Sequence, residues 1–133
     1  MRVRFFVLPI AAAILLWSLS AEAHHSFSGA YIVDKTITIK GKIVQIALRS
    51  PHSFFYVETE DSTGTLQQWA IEGASAGQFA QQGVDRNAFK VGDPVEVTAN
   101  PSRTVTSTRA RLVKIVRTTD CKSWGTRAAE TVD

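Results

Sequence analysis

Three histidines, His24, His25 and His52, are the residues whose types and spacing could do metal chemistry. His24 follows directly on Ala21-Glu22-Ala23, which places small residues at both positions a signal peptidase reads. Cleavage after Ala23 would leave His24 with a free α-amine beside its imidazole. The amine nitrogen and Nδ1 can then chelate a metal together, since both groups lose their protons close to neutral pH. His25 adds an imidazole and a backbone amide. His52 would add a third nitrogen if the N-terminus folds back over the rest of the domain. Nitrogen ligands in a planar arrangement favour Cu(II), with Ni(II) and Zn(II) behind. The candidate metal set is therefore His24, His25 and His52, and the candidate cofactor is Cu(II). Two blander readings stand beside it. A His-His terminus binds copper weakly in almost any peptide, and His52 after Pro51 could simply hydrogen-bond a loop carbonyl.

The second constellation is aromatic: Phe27, Tyr31, Phe54, Phe55, Tyr56 and Trp69. Alternation along a strand puts Phe54 and Tyr56 on one face and Phe55 on the other. One face must be core, because a small barrel needs large side chains to fill it. Rings left on the other face could stack on a sugar, a base or a peptide. Phe54, Tyr56 and Trp69 are the candidate ligand-binding residues. Other catalytic patterns are missing: the chain has no Gly-rich phosphate loop, GxSxG, HExxH or CxxC. Glu58, Glu60 and Glu72 read more simply as solvent-facing charges than as a glycosidase pair. No catalytic residue is assigned.

The elements that must position these residues begin with an address. Met1-Arg2-Val3-Arg4 is a basic start, and residues 5–19 form an apolar run broken only by Pro9 and Ser18. This is a secretory signal, residues 1–23, too short for a comfortable membrane span. Export to the periplasm or beyond is expected, with no membrane attachment after cleavage. Of the 133 residues, 133 − 23 = 110 would remain, enough for one modest core and too few for a multidomain enzyme. The formal charge of +3 comes from 15 basic and 12 acidic residues; removing Arg2, Arg4 and Glu22 leaves 13 and 11, or +2. Arg103, Arg109, Arg111, Lys114 and Arg117 are denser near the C-terminus. Simple alternation puts Arg109, Arg111 and Arg117 on one solvated face. Nucleic acid is not expected as a partner of an exported chain. The single cysteine, Cys121, excludes an internal disulfide.

Residues 35–48 read as a long strand rich in β-branched residues, with Gly41 marking a bulge or close bend. Residues 49–52 form a loop and residues 53–60 a second strand. Asp61-Ser62-Thr63-Gly64 has turn chemistry, and residues 65–72 return as a third strand. Residues 74–82 carry one or two helical turns that Ser75 can cap. Residues 94–100 and 108–118 supply the last two strands, and residues 120–133 read as a polar tail. A mainly β fold follows: a small, partly open, five-stranded OB-like barrel over residues 24–119, with one short helix between the third and fourth strands. A small sandwich is the runner-up.

Five segments, in order, resemble a family of small exported bacterial proteins of unknown function. They are Ala23-His24-His25-Ser26-Phe27, the strand over residues 35–41, Ser50-Pro51-His52 in place of an Asn-Pro-His loop, Trp69-Ala70-Ile71-Glu72-Gly73, and the Gly-Asp-x-Val-x-Val strand over residues 92–97. The likeness covers nearly all of the chain after the signal. It departs at Leu48-Arg49-Ser50, where the family has Trp-x-Asn, and at Ala99-Asn100-Pro101, where it has Gly-His-Pro. A metal ligand supplied by that later His in relatives would be missing here. The resemblance implies export and an OB-like barrel, and it implies no established activity.

The leading expectation is a non-enzymatic periplasmic OB-like module that binds a small ligand or a partner protein. The alternative is a periplasmic copper-binding protein using the His24 amine and imidazole, His25 and His52. A copper enzyme comes third, because metal binding alone supplies no substrate cleft.

Overall fold

The computed structural model describes residues 26–125 apart from residue 85. A one-turn helix, α1 (Ser26–Ala30), leads into strand β1 (Ile37–Ala47). Then follow β2 (Ser53–Glu60), β3 (Leu66–Gly73), the helix α2 (Ala76–Gln81), β4 (Pro94–Pro101), β5 (Arg109–Arg117) and a short β6 (Ser123–Gly125). The strands hydrogen-bond in the order β3-β2-β1-β4-β5-β6. A short parallel pairing of β3 with β5, Ala70 opposite Arg109 and Glu72 opposite Arg111, closes the first five into a barrel. The mainly β, OB-like expectation holds, with the helix between β3 and β4 as read.

β1 is long because it serves two partners. Ile37 to Lys42 pair with β4, and Lys42 to Ala47 pair with β2. Gly41 sits where one pairing gives way to the other. A Cβ there would lie 2.0 Å from the Glu58 carbonyl oxygen, so the strand passes too close for any side chain. The bulge itself falls a little later, at Val44, between Ile43 opposite Val57 and Gln45 opposite Tyr56. The extra residue changes the strand's phase. Ile39 and Ile43 point inward before it, and Ile46 faces Phe55 after it.

The hairpin from β2 to β3 turns at residues 61–65. Asp61 Oδ1 accepts from the Thr63 and Thr65 amides and from the Thr63 hydroxyl. Gly64 takes the positive φ of 83° that the turn needs. These bonds, the Thr63 hydroxyl first, hold the Asp61 carboxyl below its ordinary range.

The interior is filled by alternating strand residues: Phe55 and Val57 of β2, Ile71 of β3, Val95 and Val97 of β4, Ala110, Leu112 and Ile115 of β5. α2 plugs one end. Its capping box pairs Ser75 with Gln78, and its one buried residue, Phe79, meets Phe55 edge-on with centroids 5.9 Å apart. Burying such a ring contributes about 1.5–3 kcal/mol. Gly73 leaves it room, since a Cβ there would lie 2.7 Å from the Phe79 ring.

Two expectations change here. Arg117 does not share a face with Arg109 and Arg111. A second bulge, at Val113, separates Thr98 opposite Lys114 from Ala99 opposite Leu112 and shifts the phase of β5 by one residue. Arg117 turns instead to the barrel end, donating to Asp93 Oδ2 at 2.9 Å, Asp120 Oδ2 at 2.7 Å and the Ala88 carbonyl at 3.0 Å. The segment read as a tail also contributes structure. β6 pairs with β5, and Trp124 packs against Phe79 with centroids 4.2 Å apart and the rings tilted by 48°.

Candidate binding face

Phe54 and Tyr56 alternate with buried Ser53, Phe55 and Val57, so they stand on the outside of the barrel, half-buried. The register fixes their neighbours. Phe54 lies between Ala47 of β1 and Glu72 of β3, and Tyr56 between Gln45 and Ala70. The closing pair then continues these rows onto Arg111 and Arg109 of β5. One continuous outer strip therefore runs from aromatic rings on β2, past a carboxylate on β3, to arginines on β5.

The two rings lie 6.1 Å apart at 25° to each other. Arg49 places its guanidinium carbon 5.2 Å from the Phe54 centroid, and Arg109 places its own at 5.7 Å. Both distances are within reach of cation–π attraction. Arg49 is held at its backbone. Its carbonyl accepts from the Ser53 hydroxyl at 3.2 Å and from the Ala76 amide at 3.0 Å, which ties the β1–β2 loop to the start of α2. Ser53 is fully buried for that reason. No ion pair found among the described residues involves Arg49.

Glu72 is the centre of a separate cluster. It is not the solvent-facing charge expected from sequence; its side chain keeps 13% of its exposure. Tyr31 donates its hydroxyl to Oε2, and Arg109 Nη2 donates to the same oxygen at 3.0 Å. Burial first, and then the bond to Glu72 and its charge, push the Tyr31 hydroxyl well above the usual tyrosine range. Tyr31 is thus a fixed proton donor. His52 sits above the other oxygen, with Nδ1 3.2 Å from Oε1, but the geometry does not complete a hydrogen bond, and Nδ1 is buried without one. The Ser50–Pro51 bond in its loop is cis. The Phe27 ring meets His52 edge-on at 4.9 Å and lies under the Arg111 guanidinium at 4.7 Å. Burial pulls the Arg111 guanidinium below its ordinary value. The cluster pins the segment before β1 across β3 and β5. A carboxylate already engaged by a tyrosine and an arginine is suited to holding structure.

The sequence candidates are therefore divided. Phe54 and Tyr56 stand together on the outer face. Trp69 does not join them: it faces Val57 across the inner side of the β2–β3 pair and packs against the core. His52 lies at the Glu72 cluster, while His24 and His25 lie outside the described residues. Among the described residues no group of three His, Cys, Asp or Glu could hold a metal. Sequence reasoning missed Arg49 and Glu72. The signal for Arg49 was its place one turn of loop from Phe54. Glu72 offered none until the β3–β5 pairing was known. An open cleft of about 360 Å³, lined by Ile46, Ala47, Leu48 and Arg86, borders the strip at Ala47, the register partner of Phe54.

Residues 13–110 match a family described as "Family of unknown function (DUF6152)". No curated protein matches the chain.

Proposed function

We take as premise that the chain belongs to this family of unknown function, and we propose that it works as an exported, non-enzymatic binding module whose ligand lies across Phe54 and Tyr56. One observation carries this reading: two large rings stand outside a barrel that already has a complete aromatic and aliphatic filling. Core packing does not need them there. The face is also where OB-folds bind, on strands two and three beside the β1–β2 and β4–β5 loops. The basic, apolar and small-residue segments of residues 1–23 support export to the periplasm. Among the described residues no helix is long and apolar enough to cross a membrane.

The test is an amide NMR titration of the protein recovered after export, with a methyl glycoside, a nucleoside, N-acetyl-tryptophanamide and benzoate as probes. Shifts at residues 53–57 and 70–73 with at least one probe are expected. No response, or shifts confined to other strands, would overturn the reading.

A second reading, copper binding through the His24 amine and imidazole, His25 and His52, is favoured by one contact. Phe27, two residues after His25, packs on the His52 ring. Phe27, three positions along the chain from His24, thus lies against the third nitrogen donor of this reading. A Cu(II) titration against a competing chelator checks it. Tight one-to-one binding that weakens in His52→Ala supports a preformed site, and weak binding indifferent to His52 rules it out.

A further inference from the structure

We infer that the Phe54 face selects its ligand by charge, taking a carboxylate or phosphate oxyanion carried on a flat apolar body. The inference rests on the binding reading above and names the ligand class of the same face.

Two guanidiniums flank one ring, at 5.2 and 5.7 Å from its centroid. Cation–π attraction at these distances consumes none of the hydrogen bonds a guanidinium can donate from its N–H edge. That edge is a planar fork that matches carboxylate and phosphate oxygens in pairs. Arg109 gives one nitrogen, Nη2, to Glu72. Arg49 is engaged at its backbone amide and carbonyl, by Ser53 and Ala76, while its guanidinium has no carboxylate within the ion pairs of the described residues. The side chain is thus placed by a fixed backbone and by Phe54, and among the described residues its guanidinium enters no ion pair. Preorganisation of this kind lowers the cost of binding.

The local charge agrees. Arg49, Arg109 and Arg111 stand at the strip, and among the described residues the carboxylate paired with one of them is Glu72, already shared by Tyr31 and Arg109. Arg86 adds a further cation at the cleft beside Ala47. That cleft is lined by Ile46, Ala47 and Leu48, and it meets the strip at Ala47, the register partner of Phe54. The Tyr56 ring offers a second flat surface on the other side of Phe54. A ring-bearing anion would satisfy both features at once; a bare anion or a neutral ring would satisfy one.

Isothermal calorimetry of the exported protein tests this with benzoate, phenyl phosphate, benzyl alcohol, acetate and inorganic phosphate. Benzoate or phenyl phosphate should bind at least about tenfold more tightly than benzyl alcohol, acetate or inorganic phosphate. Which of the two leads identifies the oxyanion as carboxylate or phosphate. Arg49→Gln should lose that preference, and Arg49→Lys should restore it only in part, since an ammonium keeps the charge without the fork. Benzyl alcohol binding as well as benzoate would overturn the charge selection and leave the ring-binding reading intact. Anion binding unchanged in Arg49→Gln would overturn the assignment to this fork. No binding by any ring-bearing probe would end both readings.

Discussion

The Tyr31 hydroxyl donates to the Glu72 carboxylate, joining the segment before β1 to the strand that closes the barrel. The two residues are 41 positions apart. Tyr31 is otherwise buried, and it forms an isolated bridge with Ser102 after β4. The bond and the bridge together tie three distant parts of the chain at Tyr31.

Tyr31→Phe should remove that tie without a large change in volume. A hydrogen bond to a charged acceptor contributes about 1.5–3 kcal/mol, and urea unfolding should show a loss in that range. Hydrogen exchange should quicken at the Ile32 amide, which bonds to the Pro101 carbonyl beside it. A loss below a few tenths of a kcal/mol would show that the bond is not stabilising.

Two glycine substitutions should separate close approach from simple propensity. Gly41→Ala puts a methyl 2.0 Å from the Glu58 carbonyl oxygen, a backbone atom that cannot swing aside. It should cost at least about 1–3 kcal/mol, as overpacking does. Gly29→Ala meets nothing within 4 Å and should be close to neutral or slightly stabilising. Thermal unfolding of both variants checks the contrast.

The Arg117 cluster predicts an acid limb. Bonds from Arg117 and from the Lys122 amide bring the Asp120 carboxyl down to about 2 from 3.8. A carboxylate depressed in the folded state stabilises above its unfolded value, and that stability is lost as pH falls through the folded value. The same sign holds for Asp93. Burial there raises its carboxyl, but the Lys90 amide and Arg117 outweigh it and leave it lowered. Asp120→Asn should therefore be less stable than the natural protein near pH 6, and the gap should close between about pH 4 and pH 2. A gap that stays constant over that window would show that the pair does not titrate as described.

The copper reading makes its own prediction at the processed terminus. One residue added ahead of His24 moves the chelating amine away from the imidazole. Copper affinity, measured by chelator competition, should fall by at least about tenfold. Equal affinity in both proteins would remove the amine from the ligand set.

The strands were readable because β-branched runs, hairpin turn chemistry and the Ser75 cap all act locally. That Phe54 and Tyr56 share one face was readable for the same reason, since alternation is a local rule, but which face is the outer one was not. Two bulges were not. Val44 and Val113 look like ordinary strand residues, yet each shifts the phase of its strand, and the bulge at Val113 is why Arg117 left the face assigned to Arg109 and Arg111. Glu72 was hidden because its partners arrive from residues 31, 52 and 109 through the closure of the barrel. Trp69 carried too little information to be placed: an aromatic residue on a strand suits either face, and the register put it inside. Trp124 lay in a polar stretch whose pairing with β5 no local pattern announced.

The central claim is that Phe54 and Tyr56 serve a ligand and not the core. The most direct measurement compares the double variant Phe54→Ala, Tyr56→Ala with Phe79→Ala, reading unfolding by urea and probe binding by amide NMR in the same samples. Phe79→Ala, which empties a fully buried site, should cost about 3–5 kcal/mol. The account predicts that the double variant costs less than Phe79→Ala alone, that it keeps a folded spectrum, and that its response to the ring-bearing probes disappears. A double variant that responds to the probes as before, or one about twice as costly as Phe79→Ala, would contradict it.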